Sequence, residues 1–261
     1  MAGVRNGWIT IMNKELTSKK YWSKYWKSKP KIDGLIIEKD FLFHDVLNKY
    51  VPKKQKINFL EIGGFPGQWA IFFAKYWGAD STLLDRYIDQ ETIEVLSRDN
   101  EVKNINVIEG DLFDLSVNRK FDVVMSAGFI EHFSDVAGVI DKHIDYLEPD
   151  GTLILTVPNL LGLNGLLQKI VDRETYDTHF LETMYDQNLK KIVSSRNLDI
   201  QYISYHSKFG VWLEDISNKP RWVRRLVYLT NIIGKLLVRF ESRMFSPYLI
   251  LIAKNKIVTK K

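Results

Sequence analysis

The sequence predicts an α/β fold in which helices cover both faces of a mainly parallel sheet. Between residues 57 and 158, short apolar runs typical of buried strands alternate with helical segments. The spacing is that of βαβ units, whose strands lie parallel to one another. The length of 261 residues suits one large domain of this class, or one domain with a cap.

The strands and helices of this region follow one another in order. Five short apolar runs predict strands over 57–62, 81–84, 106–108, 121–126 and 152–157. The segments between them predict helices over 66–76, 88–98 and 136–147. Pro66 is expected in the first turn of the first of these helices, where a missing N–H is tolerated.

The regular alternation ends at Pro158. Residues 159–185 contain two glycines and a polar run, which predicts a cap. A helix over 186–196, strands over 200–205 and 248–253 and a long amphipathic helix over 219–243 complete the chain. We therefore expect four segments: an N-terminal helical lid over 1–50, a core over 51–158, the cap over 159–185, and a remainder over 186–261 that carries the inserted helix.

The N-terminal segment mixes aromatic residues with lysines. Trp22 and Trp26 are four residues apart and therefore share one face of a helix. Two roles stay open for them, a lid over a bound ligand or ordinary packing.

The composition excludes several classes of protein. Hydrophobic residues make up 45% and charged residues 26%, which is ordinary globular usage and argues against global disorder. Cysteine is absent, which excludes disulfides, a thiolate nucleophile and a cysteine-based metal site. The first ten residues do not form a secretory signal, and no apolar stretch reaches the roughly 18 residues of a spanning helix. We therefore expect a cytoplasmic protein.

The basic charge is concentrated in two segments. Residues 14–31 and 219–243 each carry a net charge of +6, although the whole chain carries only +5. Two such patches favour contact with a membrane or a polyanion over dedicated nucleic-acid binding. The second patch has two interpretations. Its basic residues lie beside an apolar stripe on a helical wheel. One interpretation is a helix that lies peripherally on an anionic inner membrane surface. The other is a helix whose apolar stripe packs on the sheet or on another subunit.

A glycine-rich loop, Glu61-Ile62-Gly63-Gly64-Phe65-Pro66-Gly67, ends the first strand. Its glycines allow a ligand to approach the backbone, and a helix N-terminus follows. A nicotinamide-dinucleotide fingerprint would need glycine at 63, 65 and 68, so Phe65 and Gln68 exclude it. The loop alone is equally compatible with a tight structural turn.

Acidic residues follow the next two strands. Asp85 lies 24 residues after Glu61, where a carboxylate can accept both hydroxyls of a ribose; a helix cap or a solvated turn is the alternative. Asp111 follows the third strand, where its carboxylate or the neighbouring backbone could meet an adenine edge. Ala127 and Gly128 leave space at the end of the fourth strand.

In this order, these features resemble the class I S-adenosylmethionine-dependent methyltransferases, over roughly residues 55–160. Further matches are Phe121-Asp122, Glu131-His132-Phe133 and the turn 148–151 before the fifth strand. The chain departs from the family at Phe65, where a second glycine is frequent.

The resemblance implies a Rossmann-like seven-stranded sheet whose last strand is antiparallel. It also implies S-adenosyl-L-methionine as the cofactor and S-adenosyl-L-homocysteine as the product. The implied cofactor-binding residues are Glu61, Gly63, Gly64, Phe65, Gly67, Asp85, Arg86, Asp111, Leu112 and Ala127.

A narrower resemblance is to bacterial methyltransferases of surface-glycan and capsule gene clusters. It rests on Pro158-Asn159, residues 176–179 and Ser246-Pro247-Tyr248. It implies a small or glycan-related acceptor in polysaccharide biosynthesis, with oxygen favoured over nitrogen as the methylated atom.

Methyl transfer of this kind needs an aligned nucleophile and a site without water. A sugar hydroxyl must also lose its proton, for which histidine is the usual base. His132 is the leading candidate because it follows the fourth strand at the ligand-binding edge; packing or helix capping is its alternative role. His179 in the cap is the second candidate, and Glu131 would orient a neighbour or contact the cofactor.

Other site types and functions are weaker. His44, His143 and His206 are expected to be structural, and no His/Asp/Glu group has metal-ligand spacing, so no required metal is expected. The absence of a Gly-x-Ser-x-Gly elbow argues against a serine hydrolase. A catalytically silent partner-binding protein and an RNA methyltransferase remain alternatives, although the Asn-Pro-Pro-Tyr type motif of base methylation is missing. The acceptor and the oligomeric state are left open.

Overall fold

We describe the chain from a computed structural model, which covers residues 15–29, 32–54, 56–103, 105–116, 118–213 and 216–256. The expected N-terminal lid over 1–50 and the basic patch over 14–31 therefore fall partly outside the described residues.

A seven-stranded sheet forms the centre of the molecule. Its strands are β1 (Asn58–Ile62), β2 (Asp80–Asp85), β3 (Asn106–Glu109), β4 (Phe121–Ala127), β5 (Leu147–Pro158), β6 (Leu198–His206) and β7 (Tyr248–Asn255). Their spatial order is β3-β2-β1-β4-β5-β7-β6, and β7 alone runs antiparallel to its neighbours. The predicted fold class, a seven-stranded sheet with an antiparallel last strand, is confirmed.

Helices surround this sheet. They are α1 (Lys19–Ser28), α2 (His44–Tyr50), α3 (Gln68–Trp77), α4 (Gln90–Asp99), α5 (Val136–Asp145), α6 (Leu163–Val171), α7 (Arg173–Tyr176), α8 (Asp186–Ser194) and α9 (Arg221–Leu237). Short 3₁₀ turns lie at Ile130–His132, Leu181–Met184 and Ile216–Asn218. In the part of the chain described here, no helix is both long and apolar enough to cross a membrane.

The core lies on both faces of the sheet. Phe59 and Val123 belong to one buried cluster, whereas their chain neighbours Leu60 and Val124 belong to the other. Successive strand residues point to opposite faces, so both must be apolar when both faces are covered. This explains why the central strands are continuous apolar runs in the sequence.

Three predicted boundaries are wrong. Pro66 lies in the turn before α3, because Gly67 has φ +93 and cannot continue a helix backward. The long helix spans 221–237 instead of 219–243, because Pro220 disfavours helical geometry at 219 and Val238 leaves in extended conformation. Residues 148–151, predicted as a turn, belong to the irregular first part of β5, where Asp150 has φ +63.

Candidate functional site

A cavity of about 370 Å³ runs along the carboxyl edge of the parallel strands. Residues at the ends of β1, β2 and β4 line one part of it, and Thr156 to Pro158 of β5 line the other. Tyr248 joins them because β7 is antiparallel and its first residue pairs with Pro158, the last residue of β5. The volume lies in the usual range of small-molecule sites, about 300–1,000 Å³.

The loop after β1 approaches its neighbours so closely that two positions require glycine. A Cβ at Gly63 would lie 2.0 Å from the Phe129 ring, and Gly63 also has φ +66. A Cβ at Gly64 would lie 2.0 Å from Oε1 of Glu61. The glycines therefore allow the ring and the carboxyl group to lie directly against the loop.

Glu61 lies at the end of β1 with only 1% of its surface exposed. Its Oε2 accepts a hydrogen bond of 2.7 Å from the backbone N–H of Ala70 in the first turn of α3. Burial raises the pKa of Glu61 to about 8, against the opposing effect of backbone hydrogen bonds from Ala70 and Trp69. A cationic group of a ligand placed here would find a carboxyl ready to ionise.

Asp85 ends β2 and fixes the glycine loop. Its Oδ2 accepts from the backbone N–H of Phe65 at 3.0 Å, and its Oδ1 accepts from that of Tyr87 at 2.9 Å. Burial raises the pKa of Asp85, and these backbone hydrogen bonds counteract the shift. A carboxylate has about four acceptor positions, so Asp85 can still accept a hydrogen bond from a ligand hydroxyl.

Arg86 connects the cavity wall to the N-terminal segment. Its guanidinium donates two hydrogen bonds of 2.6 Å to Glu15 and is also paired with Oδ2 of Asp111. These carboxylates raise the pKa of Arg86 further above its ordinary value. The other oxygen of Asp111 accepts from the backbone N–H of Phe113 at 2.9 Å, so both Asp111 oxygens have protein partners.

The N-terminal segment lies over the cavity. The backbone N–H of Leu16 donates to the carbonyl of His132 at 2.9 Å. Helix α1 follows and places Trp22 and Trp26 in the cavity lining. Trp22 contacts His132 edge-on at 5.0 Å between ring centroids, and Trp26 contacts Phe65 similarly at 5.1 Å. Of the two roles left open for these tryptophans, the lid agrees with this placement.

Two buried histidines lie together in another part of the cavity. His132 is on the 3₁₀ turn after β4, His179 is in the cap, and their ring centroids are 4.9 Å apart. Nδ1 of His132 lies 3.0 Å from the carbonyl of Thr178, and Nδ1 of His179 lies 2.9 Å from that of Thr175. A carbonyl only accepts, so each Nδ1 carries the proton and each Nε2 keeps the lone pair.

Both histidines are held in the neutral form. Burial and the neighbouring His179 lower the pKa of His132 to about 3. Burial also lowers the pKa of His179, with partial opposition from its backbone hydrogen bonds. At neutral pH both imidazoles are therefore unprotonated and weakly basic, so they suit the uptake of a strongly acidic proton only.

Glu131, His132 and His179 together could also hold a metal ion. All three are buried, and one potential ligand atom from each lies within 4.8 Å of the other two. Spacing along the chain does not reveal this group, because His179 is brought to it by the cap, whose Phe180 N–H donates to the Glu131 carbonyl at 2.7 Å. That no metal is required stays a prediction.

The predicted site residues are brought together with one exception. All of the predicted cofactor-binding residues except Gly67 line the cavity, as do His132 and His179. Gly67 instead caps α3, and a Cβ there would lie 3.1 Å from Ile105. Outside the cavity, His143 is fully buried in α5 and its pKa is lowered to about 4 by burial, which fits a structural role.

Sequence reasoning missed part of the cavity wall. Phe129 lies against Gly63, and Trp212 stacks on Tyr248 with ring planes 14° apart. Both aromatic side chains and Tyr248 line the cavity. Trp212 lies two residues after Gly210 in a segment without regular structure. A tryptophan in such a segment was the sequence feature that could have indicated a place in the cavity wall.

The fold and the cavity define a cofactor-binding α/β protein, and comparison with known families makes this specific. Residues 38–203 match the family model described as a methyltransferase domain. The chain belongs to this methyltransferase family.

Individual relatives are distant. The chain is 26% identical over 156 residues to a ubiquinone biosynthesis O-methyltransferase from Rickettsia akari (strain Hartford). This match covers 58% of the chain and 61% of that protein, so the chain spans about three fifths of the curated relative.

Solved structures share the fold at low identity. A phosphoethanolamine N-methyltransferase 2 of Haemonchus contortus, in complex with S-adenosyl-L-methionine, has a TM-score of 0.58 at 14% identity. That match covers 81% of this chain and 51% of the other. A SAM-dependent methyltransferase from Archaeoglobus fulgidus has a TM-score of 0.50 at 20% identity, with 80% and 91% covered. The chain thus has the S-adenosyl-L-methionine-dependent methyltransferase fold, and the predicted cofactor class is confirmed at this level.

Proposed function

We propose that this protein transfers a methyl group from S-adenosyl-L-methionine to a hydroxyl oxygen of its acceptor. The observation that carries the proposal is the division of one cavity between two kinds of group. Acids lie at the ends of β1 and β2, whereas one neutral histidine follows β4 and the other lies in the cap. The first set suits a cationic nucleoside, and the second suits the removal of a proton.

The acidic part of the cavity fits the cofactor. Asp85 can accept from ribose hydroxyls beside its backbone donors, because a carboxylate has about four acceptor positions. Glu61 would face the positively charged amino-acid portion. The glycines at 63 and 64 keep the loop free of side chains. Asp111 would meet the adenine only together with Arg86, because the two are already paired.

When bound, S-adenosyl-L-methionine supplies a methyl group on a positively charged sulfur that is already activated for transfer. The protein therefore has to align the acceptor oxygen and exclude water. Trp22, Trp26 and Phe65 form an aromatic wall that serves the second purpose. The aromatic rings also restrict the acceptor to one side of the cavity.

A histidine of the pair accepts the acceptor's proton. As the new carbon–oxygen bond forms, the hydroxyl oxygen becomes positive and its proton becomes strongly acidic. A neutral imidazole with a lowered pKa can take such a proton, although it would be a poor base for a free alcohol. His132 is our first candidate because Trp22 and the Thr178 carbonyl fix its ring.

Two independent observations support oxygen as the methylated atom. A pair of neutral histidines suits the removal of a hydroxyl proton, and the distant bacterial relative is named as an O-methyltransferase. The narrower sequence resemblance to surface-glycan methyltransferases adds a sugar hydroxyl of a capsule or polysaccharide precursor as the acceptor to test first.

Calorimetry with S-adenosyl-L-methionine and S-adenosyl-L-homocysteine tests the cofactor assignment. The wild-type protein should bind both, and Asp85→Ala should weaken binding by about 1–3 kcal/mol, the cost of leaving hydrogen-bonding groups unpaired. Asp89→Ala, outside the cavity lining, is the matched control. Unchanged affinity in a folded Asp85→Ala variant would remove the ribose assignment.

An acceptor screen with methyl-labelled cofactor tests the reaction. Sugar hydroxyls, phenols and amines are compared, and label on oxygen is the expected outcome. Cofactor binding without transfer to any hydroxyl, together with transfer to an amine, would overturn the choice of oxygen. Cofactor binding with no transfer to any acceptor class would favour the silent partner-binding alternative.

A further inference from the structure

Helix α9 has three distinct faces. Val223, Val227 and Gly234 are buried and form the inner face. At about 100° per residue, a second face carries only large apolar side chains. Its members are Trp222, Leu226, Leu229, Ile233, Leu236 and Leu237, all exposed. The third face carries the exposed basic residues Arg221, Arg224, Arg225 and Lys235, with the exposed Tyr228 and Ile232 between them.

The exposed apolar face cannot turn inward. Gly234 lies against Phe209 so closely that a Cβ would be 2.3 Å from its ring. The side-chain amide of Asn231 donates to the carbonyl of Val211 at 2.7 Å and accepts from its N–H at 2.9 Å. These contacts fix the rotation of the helix, so its outer face stays in solvent. Trp222 is 64% exposed and Leu237 is 73% exposed.

Neighbouring segments extend this apolar surface. Leu166 and Ile170 of α6 are exposed, while other residues of α6 pack against the same small cluster as Val223 and Val227. An ion pair of 2.6 Å between Lys219 and Asp172 joins the start of α9 to the end of α6. Exposed apolar side chains on two neighbouring helices favour an interaction site here.

We propose that α9 docks on an anionic lipid bilayer, with its apolar face in the headgroup–acyl boundary and its basic face on the lipid phosphates. Helix α9 contains four basic and no acidic residues. Among the described residues, none of the four basic side chains has an acidic partner within 4.0 Å. An amphipathic helix with a Trp-Leu face and adjacent arginines has the composition of interfacial helices.

Charge and apolarity together favour a bilayer over other occupants. A nucleic acid would neutralise the arginines and leave Trp222 and Leu237 in water. A second copy related by a two-fold axis would cover the apolar face but bring two sets of basic side chains to one rim. A bilayer with anionic headgroups satisfies both faces.

The docking helix is connected to the cavity wall. Trp212 lines the cavity, and its backbone N–H donates to Asn164 of α6 at 3.0 Å. Asn231 of α9 holds the preceding residue, Val211. Both membrane-facing helices thus position the segment that carries Trp212. This step rests on the proposed methyl transfer: the connection directs the active site toward acceptors carried by membrane lipids.

Flotation with liposomes tests the docking and needs no acceptor. Vesicles of phosphatidylcholine with about 30% phosphatidylglycerol should bind the wild-type protein at low salt, with binding falling as salt rises. Arg224→Glu/Arg225→Glu and the triple variant Leu229→Ser/Ile233→Ser/Leu236→Ser should each lose at least about tenfold in vesicle affinity. Lys190→Glu/Lys191→Glu on α8 makes the same charge change at exposed positions and should bind like wild type.

Three outcomes would overturn the docking. These are no wild-type binding to anionic vesicles at low salt, binding that survives the triple variant, or a wild-type dimer in light scattering that the triple variant dissolves while vesicles remain unbound. Circular dichroism confirms that each variant is folded. Cofactor calorimetry on the same samples separates the two proposals, because loss of cofactor binding with intact flotation would contradict only the methyl transfer.

Discussion

At the residue scale, the protonation state of Glu61 controls the charge of the cofactor end of the cavity. Its pKa is raised to about 8 by burial, so the side chain is mostly neutral at pH 7 in the free protein. A cationic ligand stabilises the carboxylate, so binding should release a proton. Affinity for S-adenosyl-L-methionine should therefore rise with pH, by up to about tenfold per unit, and level off above pH 8.

Calorimetry in buffers with different ionisation enthalpies measures this proton release directly. In Glu61→Gln the amide can keep the acceptor for the Ala70 N–H but cannot ionise. This variant should bind more weakly and lose the pH dependence below pH 8. A dissociation constant that is flat between pH 6 and 8.5 in the wild type would contradict the role of Glu61.

The two cavity histidines should differ from other buried histidines in their effect on rate. With a hydroxyl acceptor, His132→Ala should lower kcat by about 10²–10⁴, the usual contribution of a general base, while cofactor affinity stays within a few-fold. His179→Ala, measured in parallel, shows which member of the pair takes the proton. His143→Gln is the control, because His143 is buried and neutral outside the cavity.

Metal removal is an independent test at the same residues. We expect that dialysis against EDTA leaves the rate unchanged, because the neutral imidazoles act as proton acceptors. A chelator-sensitive rate restored by a divalent cation would reverse this expectation and would place the ion at Glu131, His132 and His179.

The residues of the site were predictable to different degrees. Asp85 and Asp111 could be found because strand ends of a parallel sheet meet at one edge, which makes spacing along the chain informative. The ion pairs of Arg86 with Asp111 and with Glu15 could not be found in this way, because Glu15 is 71 residues from Arg86 in the chain. Trp212 was missed for the same reason, since only the completed fold brings it to Tyr248.

At the element scale, the Glu15–Arg86 pair should hold the N-terminal segment over the cavity. Its two hydrogen bonds are half-buried and charge-assisted, which makes them stronger than an exposed ion pair. Glu15→Ala should therefore expose α1, and trypsin should cleave after Lys24 or Lys27 several-fold faster. Mass spectrometry of the fragments locates the cut.

The exposed pair between Lys19 and Glu109 provides the matched control. Its atoms are 3.5 Å apart and both side chains are more than half exposed, so Glu109→Ala should change cleavage little. Equal cleavage rates in Glu15→Ala and wild type would show that the segment is held by its aromatic contacts instead.

Elements were predicted better than their ends. The strands follow from apolar runs, and all seven exist in the expected order along the chain. The limits of α9 were wrong because a helical wheel continues through any amphipathic sequence, whereas the chain leaves helical geometry at Val238. The wheel did identify the basic and apolar faces within 221–237. It could not show which face is buried, because that is decided by Phe209 and Val211 from another segment.

At the scale of the whole molecule, two kinds of buried group should determine the pH dependence of stability: histidines with lowered pKa values and acids with raised pKa values. The pKa of His132 is lowered from 6.5 to about 3, and that of His143 is lowered from 6.5 to about 4. From pH 6.5 down to these lowered pKa values, the unfolded chain binds more protons than the folded one. Glu61 and Asp85 have raised pKa values, so between the ordinary and the raised pKa of each group the folded protein binds more protons than the unfolded chain.

The two tendencies overlap: Glu61 acts between about pH 8 and pH 4.5, and the two histidines act below pH 6.5. Acidification from pH 8 toward 6.5 should stabilise the fold, because Glu61 is protonated only in the folded state. Below pH 6.5 the histidines dominate, because each pH unit costs up to about 1.4 kcal/mol for every histidine that the fold keeps neutral. The free energy of unfolding should therefore be largest near pH 6.5 and fall steeply toward pH 4.

Urea unfolding at half-unit intervals from pH 4 to 8.5 tests this expectation. His143→Leu removes one histidine outside the cavity. Below pH 6.5 the free energy of unfolding should therefore fall less steeply, by about one proton, while the curve above pH 6.5 stays the same. Glu61→Gln should flatten the curve above pH 6.5 and make its fall between pH 6.5 and pH 4.5 steeper by about one proton, because Glu61 no longer opposes the histidines there. A free energy of unfolding that is largest near pH 8 in the wild type would mean that these groups do not control the stability of the fold. The same conclusion would follow if the fall below pH 6.5 were unaltered in His143→Leu.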